Sequence, residues 1–171
     1  MRNLRVFVAG VVAASAMVCF VSGADAADVT RLAGDNPKSP IAQAVAVPMG
    51  TFTLYFISGT PAGPAHADLP RTDPNRMGDT PTQTRSSLDR LGQSLTQLGL
   101  GYGDVVMAHV FLAGDPAKGG DIDFAGMNAE WSKKFGTPQQ PNKPARSTVK
   151  VAGLATPGGL VEIEFIAVKK N

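Results

Sequence analysis

Residues 142–151 read NKPARSTVKV and residues 160–170 read LVEIEFIAVKK. Both stretches alternate with a period of two, the pattern of a strand. In the first, Arg146 shares a face with Thr148 and Lys150, while Ser147, Val149 and Val151 face the other way. In the second, Glu162 and Glu164 share one face, and Val161, Ile163 and Phe165 the other. If the two strands pair as a hairpin, the guanidinium and the carboxylates become cross-strand neighbours. Two chemistries fit. One is a structural ion pair, which contributes about 0–1 kcal/mol when partly exposed. In the other, the arginine anchors a ligand carboxylate by a bidentate contact, about 1.5–3 kcal/mol for a charge-assisted bond. A glutamate then orients or deprotonates a water. The alternation alone leaves both open.

Other constellations carry less. GLGYGD, residues 99–104, follows a helix pattern and precedes a strand, the reverse of a dinucleotide-binding fingerprint, so it reads as a helix stop and a turn. His66 and Asp68 have the residue types of metal ligands, but two histidines and one cysteine are too few for a tight transition-metal site. His109 lies inside an apolar strand pattern and reads as a core histidine with its nitrogens satisfied. The aspartates of GDPAKGGDID, residues 114–123, lack calcium-loop spacing and read as helix caps. Ser147 has no histidine nearby in sequence and no nucleophile elbow around it.

The elements that must position these residues follow from periodicity and punctuation. Residues 27–40 lack apolar periodicity and read as a tail. AVAVPMGTFTLYFISG gives two strands about a turn at Pro48 and Gly50. Residues 60–79, rich in proline and glycine, form a long loop of the kind that is often functional. A helix is predicted over 80–98, capped by Asp79 with Pro81 in its first turn. Leu88, Leu91, Leu95 and Leu98 form its apolar stripe. DVVMAHVFLAG is a buried strand, and a second helix covers about 123–135, capped by Asp121 or Asp123, with Phe124, Met127, Trp131 and Phe135 inward. The order strand, strand, helix, strand, helix, strand, strand indicates an α/β or α+β domain, one sheet carrying two helices on one face.

At 171 residues the chain is long enough for one domain. Its first 26 residues stand apart: Arg2 and Arg5, an apolar run, then a small-x-small pattern at Ala24 and Ala26. This is the layout of a secretory signal peptide cleaved after Ala26. Cleavage would remove Cys19, the single cysteine, so no disulfide is expected and stability must come from an apolar core. The chain from residue 27 onward carries 14 basic and 13 acidic residues, a net +1. No basic stripe survives, which argues against a nucleic-acid partner. No second long apolar segment exists, so no membrane association is expected after cleavage.

PARSTVKVAGLATPGGLVEIEFIAV resembles the C-terminal signature of the RidA/YjgF/UK114 family, the reactive-intermediate imine deaminases. FISGTP, TQTRSSLDRL, GDVVMAHVFL and DFAGMNAEW fall in the matching order, so the resemblance covers about residues 40–170 as a single Rid-type domain. It implies an α+β, chorismate-mutase-like fold, a homotrimer and ligand sites in the clefts between subunits. It also implies hydrolysis of small 2-imino acids, or their enamine tautomers, to 2-keto acids and ammonia, with neither metal nor organic cofactor. Arg146 matches the arginine that binds the substrate carboxylate, and Glu162 the glutamate that handles the attacking water. Ser58 and Gly59 match the pocket's serine–glycine pair, and Asn128 a pocket asparagine on the second helix.

This chemistry suits the residue types. An imine carbon is already electrophilic, so holding the carboxylate and placing a water is mostly positioning. Three features depart from the family pattern: Ile41 where active members often carry tyrosine, Thr148 where cysteine is common, and the length of loop 60–79. The leader adds a fourth expectation, a periplasmic or secreted protein whose imines arise outside the cytoplasm. The rival reading is a Rid homologue that binds small carboxylates without turning them over.

Overall fold

The computed structural model describes residues 29–36 and 38–171; the expected leader, its expected cleavage site and Cys19 lie outside the described residues. Six strands form one mixed sheet in the order β1-β2-β3-β6-β4-β5: β1 Thr30–Leu32, β2 Ala44–Met49, β3 Phe52–Pro61, β4 Val105–Ala113, β5 Ala145–Val151 and β6 Val161–Lys170. Helix α1, Thr80–Gln97, joins β3 to β4, and α2, Phe124–Trp131, joins β4 to β5. The fold is α+β.

Both helices start where local chemistry dictates. The Asp79 side chain accepts from the Thr82 amide at 2.9 Å, and Pro81 fills a first-turn position whose amide needs no partner. The Asp123 side chain caps α2 by accepting from the Gly126 amide at 3.1 Å. Gly99, at φ 70°, takes the left-handed conformation that closes α1. Leu88, Leu91 and Leu95 bury one face of α1 against Ile163, Phe165 and Val110, all with essentially no exposure. Trp131 stacks on Phe135 at 4.4 Å and meets Phe165 edge-on at 6.3 Å, extending the core under α2.

Several expectations change. The last two strands are not a hairpin: β6 lies between β3 and β4, and β5 pairs in parallel with β4 on its other side. The α2 crossover makes this possible, because parallel strands need a long connection and a helix supplies it. The stretch read as a tail contributes β1, which pairs with residues 44–46 and covers part of the edge of β2. Pro48 sits within β2, beyond the end of β1, where its missing amide leaves no ladder bond unmade. The second helix ends at Trp131, four residues short of the expected end, and residues 132–135 continue as turns. Phe124, expected inside, is 44% exposed at the first position of α2.

One buried side chain ties distant loops together. Gln83, fully buried on α1, donates to the carbonyls of Gly78 and Gly158 at 2.9 and 3.0 Å. Its Oε1 accepts from the Leu160 amide at 2.7 Å. The loop before α1 and the connection between β5 and β6 are thereby held against each other.

Candidate functional site

Arg146 lies on edge strand β5 opposite Ala108 of β4, and Ala108 lies opposite Phe165 of β6. This register puts its side chain on the face that carries the helices. There α2 cradles the guanidinium with neutral groups. Nη2 donates to Asn128 Oδ1 at 2.7 Å, and Nη1 approaches Met127 Sδ at 3.7 Å. The guanidinium carbon stands 4.7 Å from the Trp131 ring centroid and 5.8 Å from that of Phe124. No carboxylate lies within 4.0 Å of Arg146 among the described residues. Burial draws its pKa below the usual arginine value, with no anion to offset it. Thr148, two residues along the same face, holds its Oγ1 buried without a hydrogen-bond partner.

Glu162 and Glu164 occupy the other face. Glu162 lies opposite Phe111 of β4 and Pro61 of β3. Its carboxylate rests over Gly59, where any Cβ would overlap its Oε1. The β3–β6 register shifts between Ile57 and Thr60, so Ser58 and Gly59 form a bulge. The Ser58 hydroxyl donates to the Ala42 carbonyl at 2.7 Å, and its amide to the Gln43 carbonyl at 3.0 Å. The bulge is therefore anchored to the segment entering β2, and the missing side chain at Gly59 gives the carboxylate its seat. Glu164 is used otherwise. Its Oε1 lies 2.8 Å from His109 Nδ1 across the β4–β6 ladder. His109 is thus half-exposed on the open face, not a core residue. Its buried strand neighbours Ala108 and Val110 belong to the opposite side of β4.

The candidate residues therefore fall into two groups on opposite faces of one sheet. Arg146, Asn128 and Thr148 gather on the helix-covered side at the edge strand; Ser58, Gly59 and Glu162 gather on the open side at the β3 bulge. The ion-pair alternative for Arg146 fails on this geometry, because β4 separates β5 from β6 and the side chains point apart. Sequence reasoning missed Met127 and Trp131 as part of the cradle. Their i, i+4 spacing reads as a core stripe, which they also form, and nothing in the pattern of α2 says that an arginine from another strand packs on them. His66 and Asp68 join no cluster of three or more metal-ligating side chains among the described residues.

Residues 53–169 match the family model described as Endoribonuclease L-PSP. A RutC family protein of Haemophilus influenzae is 38% identical over 119 residues, 68% of this chain and 80% of the relative. A second, from Pasteurella multocida, is 36% identical over 138 residues, 79% of this chain and 94% of the relative. Among solved structures, a YjgF-family protein from Neisseria meningitidis superposes with a TM-score of 0.60 at 24% identity, over 86% of this chain and 99% of that one. A YjgF/YER057c/UK114-family protein from Mycobacterium tuberculosis gives 0.57 at 25%, over 81% and 98%. The structural matches support the α+β fold, a mixed sheet with two helices, described above. With the family model spanning most of the chain and the relatives matching along most of their own lengths, this protein belongs to the RidA/YjgF family.

Proposed function

We propose that this protein hydrolyses small 2-imino acids, or their enamine tautomers, to 2-keto acids and ammonia. The observation that carries this reading is the state of Arg146: a part-buried guanidinium held by an amide oxygen and aromatic faces, with no carboxylate partner among the described residues. Such a group is prepared for an anion from outside the chain. A 2-imino acid supplies one beside an electrophilic carbon.

In the proposed reaction Arg146 binds the substrate carboxylate. The oxygen of a water adds to C2 of the protonated imine, the C=N electron pair passes to nitrogen to leave an amine, and Glu162 takes one proton of the water. Glu162 then hands that proton to the amine, the hydroxyl of the resulting 2-amino-2-hydroxy acid gives its proton back to Glu162, and the freed oxygen pair forms the carbonyl as the C–N bond breaks and ammonia leaves. Arg146 and Glu162 are on opposite faces of one sheet, so a site using both takes them from two copies of the chain. We read the working form as an oligomer with its sites between subunits, the homotrimer that the family resemblance implies. The exposed apolar residues on the open face, Phe56 and Val149 among them, are the surface a neighbour would cover. Read with the leader sequence, the enzyme acts in the periplasm or outside the cell, on imines released there by amino-acid oxidation.

The test generates 2-iminopropanoate and bulkier imino acids in situ with an amino-acid oxidase and follows their loss. The protein is expected to accelerate that loss over buffer, and Arg146→Ala to lower kcat/KM by about 100-fold, roughly 2.7 kcal/mol of transition-state binding. Undiminished activity in Arg146→Ala would sink the reading. A second reading, carboxylate binding without turnover, is favoured by Ile41 and Thr148 standing where active members often carry tyrosine and cysteine. Thermal stabilisation by small carboxylates with no imine hydrolysis selects it. The RNA cleavage that the family model's name suggests finds no basic stripe in this sequence to hold a phosphate backbone.

A further inference from the structure

A cavity of about 600 Å³ lies at the far end of β4 and β5, walled by the loop before α1, the segment after β4 and the β5–β6 connection. Its volume is in the range of small-molecule sites. Ala152 on its wall is six residues beyond Arg146, about 20 Å along an extended strand. The cavity shares no residue with either group of the candidate site. Two aspartates line it, Asp79 and Asp115, together with the apolar side chains of Ala113, Ala152, Leu154 and Leu160.

Asp115 is the informative residue. It is only 5% exposed. Its backbone is fixed on both sides: the amide donates to the Asp121 carbonyl at 2.9 Å, and the carbonyl accepts from Lys118 and Gly120, each at 2.9 Å. Its Oδ1 accepts from the Ala117 amide at 2.8 Å. Its Oδ2 receives no hydrogen bond, and the carboxylate pairs with no cation, among the described residues. Oδ1 is used up as the cap of the turn at Pro116–Lys118, while Oδ2 keeps contact with solvent and lone pairs free for a donor that enters the cavity. The walls around it are built and not loose, since Gln83 pins the Gly78 and Gly158–Leu160 segments to one another. The carboxyl of Asp79 is held below its ordinary pKa by its hydrogen bonds to Thr82, so it adds negative charge at neutral pH.

We propose that this cavity is a second binding site, for a small organic cation: an alkylammonium or alkylguanidinium ion with a short aliphatic chain. The cation head meets the unpaired oxygen of Asp115 and the charge of Asp79, and the chain lies against the alanine and leucine walls. His66 and Asn75 also border the cavity. The Asn75 amide offers a further polar partner to remaining N–H groups. The proposal does not rest on imine hydrolysis.

The experiment titrates the full chain with butylammonium and butylguanidinium, with butyrate as the control, by calorimetry or amide NMR shifts. Saturable binding of the cations is expected, with butyrate leaving the cavity residues unshifted. Asp115→Asn keeps the acceptor for Ala117 and removes the charge, and is expected to weaken binding at least tenfold. Ala152→Phe fills the space from an exposed position and is expected to abolish it. Arg146→Ala is expected to leave it unchanged. Absence of saturable cation binding up to about 50 mM, on the order of 2 kcal/mol, would overturn the proposal. So would butyrate shifting the cavity residues as the cations do, or unaltered binding in Ala152→Phe. If Asp115→Asn fails to fold, Ala152→Phe alone decides. Imine turnover is measured separately on the same samples, so either reading can fail without the other.

Discussion

The two faces of the sheet solve different problems with the same backbone. The covered face is filled by α1, α2 and the aromatic set Trp131, Phe135 and Phe165, and its one arginine is held by neutral groups of the helix above it. The open face mixes exposed apolar side chains such as Phe56 and Val149 with His109, Glu162 and Glu164. At Arg146, on the covered face, a positive charge is confined and meets no carboxylate among the described residues. At Glu162 and Glu164, on the open face, negative charge is seated on a glycine or paired with a histidine. The two groups that the proposed hydrolysis would use stand back to back, and that proposal brings them together through a second copy of the chain.

Removing an aromatic from each face tests the contrast most severely. Phe165→Ala is expected to destabilise the chain by about 3–5 kcal/mol, as for other buried aromatics. Phe56→Ala should cost under about 1 kcal/mol in the isolated chain, from an exposed position. A large loss for Phe56→Ala, seen as weaker self-association in sedimentation, would show that the open face is a buried interface. A smaller effect is expected at the bulge. Gly59→Ala puts a methyl group where the Glu162 carboxylate rests. It should lower kcat for imine loss about tenfold, or 1.4 kcal/mol, while leaving KM for the Arg146-bound carboxylate little changed. An equal rise in KM would mean that the two faces do not act separately.

On the covered side, Asp79→Ala should cost about 1 kcal/mol by removing the α1 cap. Because the folded pKa of Asp79 is lowered, its contribution is present above the ordinary value of 3.8 and fades as pH falls through the folded value. Wild type and variant should therefore converge in denaturant melts in strong acid. Tyr102→Phe should cost slightly less, about 0.5–1 kcal/mol, by removing the bond from its hydroxyl to the Leu88 carbonyl at 2.6 Å. Burial pushes this phenol up to about 12, so its stabilising effect is complete below pH 10 and is lost as pH rises from there.

The helices and most strands were legible because their signals are local. Asp79 caps as expected, Asp123 is the one of the two aspartates that caps α2, Leu88, Leu91 and Leu95 of the α1 stripe are buried with Leu98 partly so, and the alternation of β6 gives its two faces correctly. What failed was partnership. Whether β5 meets β6 or β4 depends on a crossover between distant segments, and alternation within a strand is blind to it. His109 failed for a related reason: flanking apolar residues advertise a buried strand, but adjacent residues point to opposite faces, and its own face is the open one. The Arg146 cradle needed that same tertiary knowledge, whereas the family resemblance picked out Asn128 by motif.

Gln83 has a consequence of a different kind. Residues 29–171 contain no cysteine, so the described fold has no covalent staple available to it. Two hydrogen bonds of one glutamine join residues 75 and 77 positions away to the start of α1, and a third holds the loop before it. This cross-link answers to no oxidant, reductant or disulfide isomerase. It can form as soon as the two loops meet, in a reducing or an oxidising compartment alike.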